Sequence, residues 1–386
     1  MSRVAIVGIG HSKFGRRTDV NVGELAFESI KQAIDDAGVD KKDIGNMVVG
    51  SAGGWYEESL PAVVIDEYAG LSGVGTMRVE AACASGSAAL KSAYNSILSD
   101  ETEVAMAVGV EKMTEVDTPT SVELIGRAGS YTWEFENYGM TFPAYYALYA
   151  VAHMNRFGTT EEDMSRVSVK AHHYGSMNPL AQFQKEITLE KAMQSPVIAW
   201  PLKLYDACPL TDGSAAVVLA SEEAARKLTD TPVWIRGVGY SSDTANLSRR
   251  ADYVGLQAAV TAAKRAYEMA KVTPQDIDVA TAHDCFTIAE LMAYEDLGFC
   301  KKGEAAKLIR EGQTELGGKI PVNLDGGLKA KGHPIGATGV SMAVEITKQL
   351  RGEAGKHQAP LKKGVGLVHN IGGTGHYAYV TILSRS

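Results

Sequence analysis

The chain opens with an unbroken apolar run, Val4-Ala5-Ile6-Val7, closed by Gly8-Ile9-Gly10. A short run ended by glycine predicts a buried strand and a turn. Asn21 then precedes apolar residues at Val22, Leu25, Ala26, Ile30, Ala33, Ile34 and Ala37. Returns every three or four residues predict an amphipathic helix. Asn21 and Glu24 form a capping box at its start, and Gly38 stops it. The run NMVVGSAGG from Asn46 predicts a second strand ending in a loop.

The same unit recurs. Ile30–Val49 aligns without gaps on Ala263–Ala282: Lys31 on Lys264, Ala33 on Ala266, Ala37 on Ala270, Val39 on Val272, Asp43 on Asp276, and Ile44 on Ile277, each offset by 233. Each copy follows a strand with a glycine turn, VAIVGIG in the first and VWIRGVGYS (Val233–Ser241) in the second. Matching element order predicts a duplication into two similar α/β halves rather than a solenoid. Gly8-Ile9-Gly10 is not a dinucleotide loop, because Lys13 stands where the third glycine is needed.

Between the copies, residues 116–207 are rich in Tyr, Met and His and carry helical patterns of their own. Gly213–Ser221 returns to a buried-strand pattern that rejoins the first sheet. The chain therefore divides into a first half (1–115 with 208–232), an insert (116–207) and a second half (233–386).

Charge and cysteine usage narrow the function. The net charge of −8 and a pI near 5.7 argue against nucleic acid as a partner. No polybasic run marks a membrane surface, and the first apolar run, about six residues, is too short for a signal segment or a span. The four cysteines, Cys83, Cys208, Cys285 and Cys300, form no C-x-x-C pair. They read as thiols of a reducing compartment, with no metal site, and the expected location is the cytoplasm.

Cys83 lies in EAACASGSAA, between residues with almost no side chain and just before an apolar helix pattern. Small neighbours let a substrate approach, and a helix N-terminus lowers a thiol pKa. Three further segments have the punctuation of active-site loops: His283-Asp284-Cys285-Phe286, GHPIGATG around His333, and HNIGGTG around Gly372. All follow predicted strands, at whose carboxyl ends ligands bind in doubly wound sheets. Cys208, Cys300, His172-His173 and Asp206 have no motif support and read as packing or surface residues.

These motifs, with DGSAAVVLAS and RFGTTEEDMSRVSVKAHHYGSMNP, resemble the thiolase superfamily over nearly the whole chain. The H-D-C-F form is similar to that of sterol-carrier-protein-type and archaeal thiolases. The resemblance implies a five-layer αβαβα core of two duplicated halves, with the insert as a loop domain that helps bind coenzyme A. It implies that Cys83 is the nucleophile and His333 its base. Asn370 stands where biosynthetic thiolases carry their second cysteine, so that thiol is relocated to Cys285. The backbone N–H groups of Cys83 and Gly372 are expected to form one oxyanion hole, and the His283 and His333 side chains another. Met140, Ser241 and Phe286 are expected at the substrate and CoA site. The implied activity is acetyl-CoA C-acetyltransfer, with longer-chain 3-ketoacyl-CoA thiolysis or a lyase or scaffold role as alternatives. A lyase relative would be expected to lose Cys83, which is present. No cofactor is expected beyond CoA thioesters as substrates: acetyl-CoA, acetoacetyl-CoA and CoA itself. A homo-oligomer, dimer or dimer of dimers, is implied. So is assembly with 3-hydroxy-3-methylglutaryl-CoA synthase through a small zinc-ribbon and OB-fold protein.

Overall fold

The structure is a computed structural model and describes residues 3–386. Its strands are β1 (Val4–His11), β2 (Asn46–Gly50), β3 (Gly75–Val79), β4 (Val104–Lys112), β5 (Val197–Ala199), β6 (Leu202–Lys203), β7 (Asp212–Ser221), β8 (Val233–Ser242), β9 (Val279–Ala282), β10 (Val365–Gly372) and β11 (Tyr377–Ser384). Nine of them form one sheet in the order β3-β2-β4-β7-β1-β8-β11-β10-β9, and β5 and β6 form a small hairpin.

The sheet has internal symmetry. β2 pairs parallel with β4, which pairs antiparallel with β7, which pairs antiparallel with β1. In the second half β9, β10, β11 and β8 repeat that order and those directions. The halves join where β1 meets β8, at Ala5 opposite Trp234 and Ile6 opposite Val233.

The glycine turns explain themselves here. The helix Val22–Ala37 packs on β1, and the helix Gln257–Ala270 packs on β8. A Cβ on Gly10 would stand 1.9 Å from the Ser29 carbonyl oxygen, and one on Gly239 would stand 1.9 Å from that of Ala262. Both glycines therefore let a helix lie directly on a strand backbone. Asn21 caps the first helix with the expected capping box, and Gly38 ends it with φ 61.

The two helices that carry the site motifs, Ser85–Leu98 and Thr338–Arg351, pack against each other between the two half-sheets. Outer helices cover the far faces, so the layers run α, β, α, β, α, as expected. Twelve of the fourteen residues of Thr338–Arg351 are buried, which suits a central layer rather than a surface one. The insert contributes the helices Phe142–Phe157 and Glu161–Met177 over the second half. Among the described residues, no helix is long and apolar enough to cross a membrane.

Candidate active site

Cys83 sits in the turn between β3 and the helix Ser85–Leu98. Ala82 before it has φ 50, a left-handed conformation that costs an L-residue about 1 kcal/mol or more. Local hydrogen bonds hold it: Ala84 N–H donates to the Ala81 carbonyl at 3.0 Å, and Ser85 N–H to the Ala82 carbonyl at 3.0 Å. Ser85 Oγ accepts from Ala81 N–H at 2.9 Å and donates to the Ala82 carbonyl at 2.6 Å. The small residues have a second reason. A Cβ on Gly86 would lie 2.7 Å from the Gly336 carbonyl oxygen, and one on Gly339 would lie 2.3 Å from Ser87 N. The ASGS and GATG segments therefore pack backbone on backbone, which brings the nucleophile turn to the histidine loop.

The two histidines present opposite faces. His333 Nδ1 meets Thr338 Oγ1 at 2.7 Å, and that hydroxyl donates its hydrogen to the Pro334 carbonyl at 3.0 Å. The hydroxyl has no hydrogen left, so Nδ1 of His333 is the donor and its Nε2 carries a lone pair. That Nε2 is buried with no partner. His283 is the reverse. Asn370 Nδ2 donates to the Cys83 carbonyl at 3.0 Å and to His283 Nδ1 at 3.1 Å. His283 Nδ1 is thus the acceptor, and its Nε2–H is free to donate. The rings stand edge to face with centroids 5.0 Å apart.

Burial sets the charge states. It holds His333 down to about 3, and it holds His283 well below the usual imidazole value, with His333 and His369 adding to the effect. Both rings are neutral. Burial also pushes the Cys83 thiol up to about 12, with Cys208 and Glu111 raising it and the Gly373 N–H lowering it. This corrects the expectation of a resting thiolate, because desolvation of the whole turn outweighs the helix terminus. Cys285 lies well above the ordinary thiol value for the same reason. The resting site is two neutral thiols and two neutral imidazoles.

The remaining predicted residues divide. Phe286 is buried and stacks on Tyr146 with centroids 4.6 Å apart, and the Tyr146 hydroxyl faces the Cys285 sulfur. Gly372 pairs with Tyr377 at the end of β10, and a Cβ there would stand 2.1 Å from the Ala81 carbonyl oxygen. The N–H of the next residue, Gly373, acts to lower the Cys83 thiol. Met140 packs half-buried against the core beside the helix Phe142–Phe157. Ser241 stands in β8 opposite Ala378. Ala207 and Cys208 lie against the second thiol's segment: Cys208 N–H donates to the Cys285 carbonyl at 2.9 Å, and Ala207 bridges to Phe286.

Sequence reasoning passed over Cys208, Lys329 and Tyr146. Cys208 carried no motif, yet it lies close enough to influence both Cys83 and Cys285. Lys329 is 2% exposed, with Asp206, Cys208, Asp284 and Cys285 around it. Its visible signal was a pair of lysines, Lys329 and Lys331, inside a glycine-rich loop. Among the described residues, no group of three or more His, Cys, Asp or Glu side chains could hold a metal ion.

Comparison with known proteins identifies the family. The family description "Thiolase, N-terminal domain" matches residues 4–223, and "Thiolase C-terminal domain-like" matches residues 239–385. A protein of Methanothermobacter thermautotrophicus named acetyl-CoA acetyltransferase is 45% identical, over 100% of both chains. Sterol carrier protein 2 of Bos taurus is 35% identical over 96% of this chain and 70% of its own. A solved structure described as an Ltp2-ChsH2(DUF35) aldolase superposes with a TM-score of 0.87 at 27% identity, covering 99% of this chain and 98% of that one. The chain belongs to the thiolase family.

Proposed function

We propose that this thiolase-family chain is an acetyl-CoA C-acetyltransferase that interconverts two acetyl-CoA with acetoacetyl-CoA and CoA through an acyl-cysteine. One observation carries the reading: Asn370 Nδ2 ties the turn of a buried thiol, Cys83, to His283, which stands edge to face with His333, and the two neutral rings hold opposite tautomers. His333 offers a bare Nε2 as base, and His283 offers an Nε2–H as donor.

In the first half-reaction the Cys83 proton moves to His333 Nε2 as the sulfur attacks the thioester carbonyl. Charge developing on that oxygen is stabilised by the backbone N–H groups of Cys83 and Gly372, each worth about 3–4 kcal/mol in comparable enzymes. The C–S bond breaks, and CoA leaves as a thiolate that takes the proton of Cys285. Cys285 is then a thiolate beside the imidazolium of His333.

In the second half-reaction Cys285 removes the α-proton of a second acetyl-CoA. The enolate oxygen accepts from His283 Nε2–H. The α-carbon attacks the acetyl group, and Cys83 leaves and recovers its proton from His333. Each proton returns to its start except the one that departs with CoA, and that one is replaced by the α-proton. In thiolysis the resting Cys285 thiol is already the acid that protonates the departing enolate.

We further propose a homo-oligomer in the cytoplasm. The edge strand β3 supports it, with unpaired backbone groups and Met77 45% exposed. Claisen condensation of two thioesters is uphill, so an enzyme that consumes acetoacetyl-CoA is the natural partner. Docking of 3-hydroxy-3-methylglutaryl-CoA synthase through a zinc-ribbon and OB-fold protein, in a mevalonate-forming sequence, belongs to the same proposal. The reaction is tested by the thioester-enolate absorbance of acetoacetyl-CoA. It is expected to decay only when CoA is added, and a CoA-independent decay would favour a lyase.

A further inference from the structure

A cavity of about 770 Å³ opens along the insert, closed by Lys13, Cys208 and Pro209 of the first half and by Lys329 of the second. Lys13, Lys185, Lys191 and Lys329 line it, and no carboxylate does. That is unusual in a chain of net charge −8. Phe183 and Tyr205 add aromatic surface, with His172 stacked on Phe183 at 5.8 Å between centroids.

Lys329 differs from the other three. It is 2% exposed, and its Nζ has no hydrogen-bond partner. Nearby carboxylates are engaged elsewhere. Asp206 accepts from the Thr287 hydroxyl at 2.8 Å and from Lys203 N–H at 2.7 Å. Asp284 accepts from Leu328 N–H at 2.8 Å and from Lys329 N–H at 3.4 Å. A buried ammonium without an acceptor is costly, so an unpaired one facing a cavity points to a ligand that supplies the acceptor.

The position of the cavity says which part of a ligand. Its wall includes Ala207 and Cys208, the segment that hydrogen-bonds the backbone of Cys285 and Phe286. Lys329 has the sulfurs of both Cys208 and Cys285 in its surroundings. A thioester reaching the catalytic thiols from this side brings its sulfur end past Lys329. Its phosphates lie at the opposite end of the arm, where Lys13, Lys185 and Lys191 are less buried.

We propose that Lys329 is a substrate-binding residue whose ammonium donates to a carbonyl oxygen of the thiol arm of acyl-CoA threaded through this cavity. The rim lysines meet the phosphates. This rests on the acyl-CoA reading above. It adds a contact that the acylation chemistry does not require.

The test uses Lys329→Met, which keeps length and volume. Removing an unpaired buried charge in this way is neutral or stabilising for the fold. KM and kcat are measured with acetoacetyl-CoA and with acetoacetyl-pantetheine, which keeps the arm and lacks the nucleotide. KM is expected to rise roughly ten- to a hundredfold for both thioesters, the size of a lost charge-assisted hydrogen bond, with kcat little changed. Lys191→Met is expected to raise KM for the CoA thioester alone. An unchanged KM in active Lys329→Met, or a defect confined to kcat, overturns the assignment. So does a defect that vanishes with the pantetheine thioester, since it would place Lys329 on a phosphate. Lys329→Gln is read by the same criteria should the Met variant not fold. Wild-type protein that neither cleaves acetoacetyl-CoA nor binds CoA in calorimetry overturns the functional reading and this contact together. An active wild type with an indifferent variant overturns the contact alone.

Discussion

Asn370 fixes the tautomer of His283: its Nδ2 donates to His283 Nδ1 at 3.1 Å while also holding the Cys83 carbonyl at 3.0 Å. The carbonyl can only accept, so the amide must present its NH2 on this side. One side chain thus ties the nucleophile turn to the ring assigned to the enolate oxygen.

Asn370→Asp reverses that relationship. A carboxylate would accept from His283 Nδ1–H, leaving Nε2 as an acceptor where a donor is needed, and it would repel the Cys83 carbonyl. Condensation is expected to fall at least a hundredfold, about the scale of a lost oxyanion donor, with a smaller change in KM. Steady-state kinetics beside the wild type decide it, and a variant of wild-type kcat would remove His283 from the donor role.

Cys285→Ser separates the two half-reactions. Acylation needs Cys83 and His333, while α-proton removal needs the second thiol. Labelled acetyl-CoA is expected to acylate the variant still. Exchange of α-hydrogen for solvent deuterium is expected to fall by about a hundredfold or more, the typical general-base contribution. Undiminished exchange would exclude Cys285 as the base.

The acid limb of acylation carries the signature of burial. His333 is held down to about 3, so its Nε2 stays unprotonated as pH falls and is lost only near that value. An imidazole at its ordinary value would be mostly protonated below about pH 6. The burst of CoA released from acetyl-CoA is expected to be flat from about pH 7 to about pH 5. A tenfold fall across that interval would show that His333 titrates normally or is not the base.

The parts that were legible in the sequence are local or repeated. The β1 run, the Asn21 cap and the helix behind it are set by residues a few positions apart. The offset repeat reports a duplicated packing in which Gly10 and Gly239 do the same work. The catalytic loops showed because backbone-on-backbone packing demands small residues in a row. The rest depends on distance through space. Cys208 and Lys329 are far apart in the chain, and only folding brings them to Cys285, through the Cys208 N–H on the Cys285 carbonyl and the Asp284 carboxylate on the Leu328 and Lys329 N–H groups. The thiol state was misjudged because a helix terminus is visible in a pattern, whereas burial of the whole turn is not.

The duplicated packing is itself testable. In Gly239→Ala the new methyl would collide with the Ala262 carbonyl oxygen, and backbone must move to admit it. The loss is expected to reach about 3 kcal/mol or more, the upper range for overpacking. A denaturation midpoint equal to wild type would contradict the close approach of strand and helix.

The central claim is an acyl-enzyme on Cys83, and trapping that intermediate tests it most directly. The protein is mixed with labelled acetyl-CoA, quenched in acid and digested, and the label is located by peptide mass mapping. The account predicts one thioester-linked acetyl group, in the peptide containing Cys83, absent from Cys83→Ala and present in Cys285→Ser. Label on Cys208, Cys285 or Cys300 with Cys83 unmodified, or turnover with Cys83→Ala intact, would contradict it.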